Sequence, residues 1–229
     1  MKKILGLSLL VFLIAFSVCN GKAPVKEEVP LAYALPAPKT DGNMSVEKAL
    51  SNRRSHRNFQ NKAISANQLS QILWAAYGNT SPSGLRTAPS AGALYPLEIY
   101  AVVGNVEGIK PGVYKYISKE HKIVRTIDKD VRVELCDATA GQRMVRSAPA
   151  SVVYSAVFNR TTGRYGDRGR GYVHMEIGHS SQNVYLQAEA LQLGTCAVGA
   201  FVDSRVSQVL KLPANEEPLY IMPIGYYVK

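Results

Sequence analysis

The chain has 229 residues, 46% of them hydrophobic, with a formal net charge of +10. That length and hydrophobic share suit one domain with a substantial core and exclude a disordered chain. The positive balance fits an anionic cofactor or membrane. No basic recognition helix, zinc finger or aromatic strand motif accompanies it, so nucleic acid is excluded as a partner.

Lys2 and Lys3 precede an apolar stretch that ends at Phe16, and polar Asn20, Gly21 and Lys22 follow. This is the layout of a secretory signal, and it is short for a membrane span. Cys19 stands where a lipoprotein signal places its acylated cysteine; ordinary cleavage near 19–21 is the other reading. Pro24, Pro30, Pro36 and Pro38 mark residues 22–42 as a flexible tether. The expected organisation is a signal peptide or lipoprotein signal over 1–21, a tether over 22–42 and one domain over 43–229. The expected address is exported or membrane-attached, through Cys19 or an uncleaved N-terminal segment.

Within the body, a short helix is predicted over 45–50. A second starts at Ser65, where Gln68 completes a capping box, and stops at Gly78. Its face is Leu69, Ile72, Leu73 and Ala76. Residues 79–96 read as a long loop, which in a compact domain is usually functional. Strands are predicted over 97–103, 112–117 and 122–127, the last two as a hairpin. Asp130 should cap a helix carrying Val131, Leu135 and Ala138. A strand over 151–158, a polar loop over 159–170 and the longest helix, 172–193, follow. A strand over 195–201, a helix capped by Asp203 and a last strand over 219–227 complete the chain. Interleaved helices and strands broken by hairpins predict an α+β sandwich with a mixed sheet. No Gly-x-Gly-x-x-Gly fingerprint supports a dinucleotide-binding fold.

Three separated segments carry the candidate chemistry. Arg53, Arg54 and Arg57, with Ser55 among them, offer guanidinium forks for a phosphate and positive charge for a reduced flavin ring. A solvated helix end explains them equally well. Pro89, Ser90 and Gly92 form a turn whose small side chains allow close approach to a planar ring; a tight structural loop is the alternative. Val198 and Gly199 form the third segment.

The long helix is apolar nearly all round, which places it in a core or a subunit interface. Asn183 would then fix either a loop or a cofactor. Asp167 reads as a catalytic carboxylate or as part of a salt-bridged loop, with Tyr165 and Tyr172 beside it. His174 and His179 do not form a zinc pattern, so no metal site is expected. Cys136 and Cys196 read as buried small hydrophobes rather than nucleophiles.

The body resembles the nitroreductase family, in particular its branch similar to the dehydrogenases that oxidise azolines in thiazole- and oxazole-forming peptides. The resemblance rests on Arg53-Arg54-Ser55-His56-Arg57-Asn58-Phe59, on 89–96 (Pro-Ser-Ala-Gly-Ala-Leu-Tyr-Pro) and on Tyr165-Gly166-Asp167-Arg168. It extends through 178–183, 193–201 and Pro223-Ile224-Gly225-Tyr226.

The resemblance implies a mainly antiparallel sheet flanked by helices and FMN bound between two intertwined subunits of a homodimer. Arg53, Ser55 and Arg57 would then engage phosphate and flavin, with Arg54 a weaker candidate. Pro89, Ser90 and Gly92 would lie by the ring, and Val198 and Gly199 would give backbone contacts. The implied activity passes hydride from NAD(P)H through the flavin to a nitroaromatic, quinone or similar small acceptor. The alternatives are an azoline-oxidising peptide dehydrogenase and a flavin-binding lipoprotein without turnover. The catalytic residues are not assignable from sequence.

Overall fold

The computed structural model describes residues 31–228. Its centre is a seven-stranded sheet built from β1 (Ala32–Ala34), β2 (Leu97–Val103), β3 (Gly112–Ile117), β4 (Lys122–Ile127), β5 (Ala150–Ala156), β6 (Gly194–Thr195) and β7 (Glu217–Gly225). The strand order is β1-β4-β3-β2-β5-β7-β6, and each neighbouring pair runs antiparallel.

The period-2 pattern of the strands divides the core. Leu97, Ile99, Ala101 and Val103 of β2, with Val152 and Tyr154 of β5, join one cluster; Tyr100, Val102 and Val153 join the other. Helices α2 (Ala66–Tyr77) and α6 (Arg168–Ala190) cover the first face through Leu69, Ile72, Leu73, Val173, Ile177 and Val184. Helices α3 (Arg132–Ala138), α4 (Arg143–Ser147) and α7 (Asp203–Leu210) cover the second through Leu135, Val145, Val206 and Leu210. Leu69, Ile72 and Leu73 are fully buried, each contributing about 1.5–3 kcal/mol. This is the α+β sandwich expected. Helices α1 (Val46–Asn52) and α5 (Asn159–Tyr165) flank α6 at its two ends.

Several local expectations are met in a different way. The capping box at Ser65 is present: Ser65 Oγ accepts from the Gln68 amide and Gln68 Oε1 accepts from the Ser65 amide. Gly78 ends α2 in an extended conformation, so left-handed freedom is not its purpose. A Cβ there would collide with the Trp74 indole. Asp130 serves the next helix from one position further out, accepting from the Arg132 amide at 3.1 Å and pairing with its guanidinium.

The predicted polar loop over 159–170 is instead α5 and the start of α6. Its glycines imitate loop chemistry, but Gly169 is buried, and a Cβ there would stand 2.9 Å from the Thr162 backbone. It lets two helices approach closely. The predicted strand over 195–201 shortens to β6 and a single bridge between Val198 and Ile221, because the Ala197 amide turns away to the Tyr185 hydroxyl.

The expected tether is also corrected where it is described. Ala32–Ala34 pairs with β4, and Leu35 is buried. Ser70 Oγ donates to the Pro36 carbonyl at 2.6 Å, and Gln71 exchanges two hydrogen bonds with the Lys39 backbone. The segment that reads as a linker is thus bound to α2 through the backbone of Pro36 and Lys39. Residues 1–30, with the signal-like stretch and Cys19, lie outside the described residues. Ser70→Ala leaves the Pro36 carbonyl without that donor and should cost about 1–2 kcal/mol, read as a lowered urea midpoint.

Candidate functional site

The arginine segment leaves α1 and runs past the C-terminal part of α6. Its path is fixed by the His56 amide donating to the Thr195 carbonyl, and by the His56 ring stacked 3.7 Å from that of Tyr227. Glu189 supports it from α6, accepting from the Arg54 amide at 3.3 Å and lying 3.8 Å from His56 Nε2. Burial holds His56 below the usual imidazole pKa, against the pull of Glu189.

Tyr185 joins this segment to the turn at 197–199. Its hydroxyl accepts from the Ala197 amide at 2.7 Å and meets Ser55 Oγ at 3.2 Å, while Arg53 lies over its ring. Arg53 and Arg57 make no ion pair among the described residues. Arg54 instead folds back onto the Ser51 and Arg53 carbonyls.

The backbone of Val198 is committed: its amide and carbonyl both bond Ile221. Amide contacts from this turn therefore fall to Gly199 and Ala200, which are exposed and take no part in the backbone ladder. A Cβ on Gly199 would come within 3.2 Å of the Tyr220 ring. The residues fit a phosphorylated planar group: unpaired guanidiniums, an exposed hydroxyl and a turn with open amides beside a glycine.

The second segment is strained. Gly92, Ala93 and Tyr95 all have left-handed backbone, at φ 62°, 53° and 48°. Non-glycine residues in that region cost roughly 1–2 kcal/mol each, and such strain gathers at functional loops. Hydrogen bonds hold it: Ser90 Oγ accepts from the Tyr95 amide, and Arg160 donates to the Tyr95 carbonyl. Behind it lies buried Glu176, which accepts from the Tyr77 hydroxyl and is stabilised by Ser90. Ser90 thus spends its side chain on the loop backbone and on Glu176, and Gly92 remains exposed at the surface.

The two groups meet different parts of one helix. Glu176 marks the station of Ser90 and Gly92; Tyr185 marks that of Arg53, Ser55 and Gly199. Nine residues of regular helix separate them, roughly 13 Å along the axis and about half a turn around it. One chain therefore brings Arg53, Ser55, Val198 and Gly199 together and sets Pro89, Ser90 and Gly92 apart from them.

Asn183 Nδ2 donates to the Thr87 carbonyl, which fixes the long loop. Asp167 is exposed and pairs with no cation among the described residues. The Tyr165 hydroxyl borders Gly92, where a Cβ would stand 2.7 Å away. Cys136 and Cys196 are buried free thiols, and burial pushes the Cys196 pKa up. Sequence reasoning missed Tyr185, Glu189, Glu176 and Arg86. Only Glu176, a carboxylate on an otherwise apolar helix face, carried a signal.

Two measurements check this geometry. Tyr185→Phe leaves the Ala197 amide without its acceptor and should cost about 1–2 kcal/mol in chemical denaturation. Burial holds the Glu176 carboxyl above its ordinary value of 4.5. The folded state therefore binds this proton more tightly, and stability should fall as pH rises from 4.5 through the raised value. Glu176→Gln should remove that decline from a plot of urea midpoint against pH.

Comparison with known proteins agrees with this architecture. The profile described as "Nitroreductase family" matches residues 50–226. A Methanocaldococcus jannaschii protein named as a nitroreductase is 48% identical over 182 residues, covering 80% of this chain and 91% of its own. The crystal structure of a Ralstonia eutropha protein of the same designation superposes with a TM-score of 0.76 at 27% identity, over 86% of this chain and 90% of its own. The Microcin B17-processing protein McbC of Escherichia coli is 28% identical, over 73% of this chain and 65% of its own.

These matches correct the expected address. The body aligns with solved members of the family over most of its length. Among the described residues no helix is long and apolar enough to cross a membrane. Export or membrane attachment of the enzyme is not retained. With its antiparallel sandwich, its capped helices and a profile match from 50 to 226, this chain belongs to the nitroreductase family, an oxidoreductase family.

Proposed function

We propose that the protein is an FMN-dependent oxidoreductase that acts as a homodimer, passing hydride from NAD(P)H through the flavin to a small oxidised acceptor such as a nitroaromatic or quinone. The observation that carries this reading is the arginine segment, whose Arg53 and Arg57 make no ion pair among the described residues, tied by Tyr185 to the turn that carries Gly199 and Ala200. When bound, FMN supplies a reversible hydride acceptor. Arg53 and Arg57 would hold its phosphate and oppose negative charge at the ring. Ser55, kept in place by Tyr185, adds a hydroxyl, and the amides of Gly199 and Ala200 bond ring heteroatoms.

The separation along α6 supports a shared site. Pro89, Ser90 and Gly92 stand on the far side of that helix from the arginines, so the loop that closes on a ring comes from a second copy. Exposed apolar side chains on α1 and α6, Val46 at 63%, Leu50 at 51% and Met175 at 51%, provide a face for that copy. The likeness to McbC supports a second reading, an azoline-oxidising peptide dehydrogenase. The longer shared span with the Methanocaldococcus relative favours the reductase.

A co-expression experiment tests cofactor and shared site together. Arg57→Ala alone, and Gly92→Trp alone, should each purify with little flavin absorbance. Co-expressed, the two chains form mixed dimers in which one site combines the intact arginine segment with the intact loop. About a quarter of all sites should then retain FMN and be bleached anaerobically by NADH or NADPH. Flavin retention no better than in the single variants would place both segments in a site within one chain. A colourless wild-type protein that ignores added FMN would remove the flavin reading.

A further inference from the structure

Arg86 makes no ion pair among the described residues. Its guanidinium lies in the corner formed by two tyrosine rings set nearly perpendicular to each other, 4.2 Å from the centroid of Tyr77 and 4.6 Å from that of Tyr95. Its Nε is buried with no hydrogen-bond partner among the described residues, and no carboxylate lies within ion-pair distance. Native structures rarely leave a buried N–H in this condition. Glu176 feels the charge of Arg86, but Tyr77 and Ser90 already engage its carboxyl.

Arg86 lines a cavity of about 190 Å³ together with Tyr77, Glu98, Tyr116, Ser118 and Lys119. Glu98 brings the cavity's negative charge, and it is neutralised locally: Lys115 pairs with it at 3.0 Å and Arg160 donates to its other oxygen. Lys119 is exposed at the mouth and makes no ion pair among the described residues. Among the described residues the lining therefore keeps two cations without an ion pair, Arg86 against the tyrosine rings and exposed Lys119. The volume is below that of cavities that enclose drug-sized ligands, which begin at roughly 300 Å³.

We propose that this cavity binds a small oxyanion, a phosphate or a short carboxylate, with Arg86 as its principal ligand and Lys119 at its entrance. A planar guanidinium offers two parallel N–H bonds to either group, and contact with the two tyrosine rings restricts where the side chain can go before the anion arrives. The site is separate from the Arg53–Arg57 segment, which lies by Tyr185 on the other side of α6. It adjoins the strained loop, since Tyr95 is one of the two rings against Arg86. Occupancy would therefore stiffen the chain on which Ser90 and Gly92 are carried.

The test is calorimetric titration of the full chain, saturated with FMN, using inorganic phosphate, malonate and, as control, chloride at constant ionic strength. Phosphate or malonate should give a saturable one-site isotherm, and the tighter of the two identifies the source of the oxyanion; chloride should give none. Arg86→Gln should abolish it. Lys119→Glu, an exposed change that leaves the fold intact, should raise the half-saturating concentration about tenfold. The flavin-free Arg57→Ala protein should retain the response, which makes the result independent of the FMN reading. The proposal is overturned by absence of saturable binding, by binding that survives Arg86→Gln, by an unchanged isotherm in Lys119→Glu, or by loss of the response in Arg57→Ala.

Discussion

Helix α6 imposes the constraint on which the rest of the molecule depends. It is fastened on two sides: Ser180 Oγ donates to the Ala76 carbonyl of α2 at 2.5 Å and meets the Tyr154 hydroxyl of the sheet at 3.1 Å. A rod held this firmly cannot rotate to bring its two working stations together. Glu176 organises the strained loop on one side, and Tyr185 organises the arginine segment on the other. Side chains half a turn apart on a fixed helix face different neighbours, so the loop and the arginine segment are organised independently of one another within the chain.

Much of this was legible in the sequence, for identifiable reasons. The capping box at Ser65, the alternation in β2 and the face of α2 are local patterns, and local patterns survive folding. The arginine segment and the 89–96 turn announced themselves by composition. What escaped was set by distance. Tyr185 matters because it reaches Ser55 and the Ala197 amide, 130 and 12 positions away. Arg86 matters because Tyr77 and Tyr95 close over it. Neither looks unusual among its sequence neighbours. Gly169 shows the opposite error: a residue that reads as a loop breaker is the contact point of two helices.

The tension between strain and support in the 89–96 loop follows from the same packing. Three left-handed residues within four positions are unfavourable, and the surrounding protein holds them there through Ser90, Arg160 and the tyrosines around Arg86. Such a segment keeps its shape only while its supports stay in place. Glu176 is one of them, and its burial means that its protonation state is coupled to the loop it underpins.

The two borders of the sheet carry a consequence of their own. One ends in β1, three residues long, and the other in β6, two residues long. Among the described residues, each border thus ends in a strand too short to be a long template for another. Short outer strands are a common defence against runaway strand addition. Any contact between copies is thereby steered away from simple continuation of the sheet.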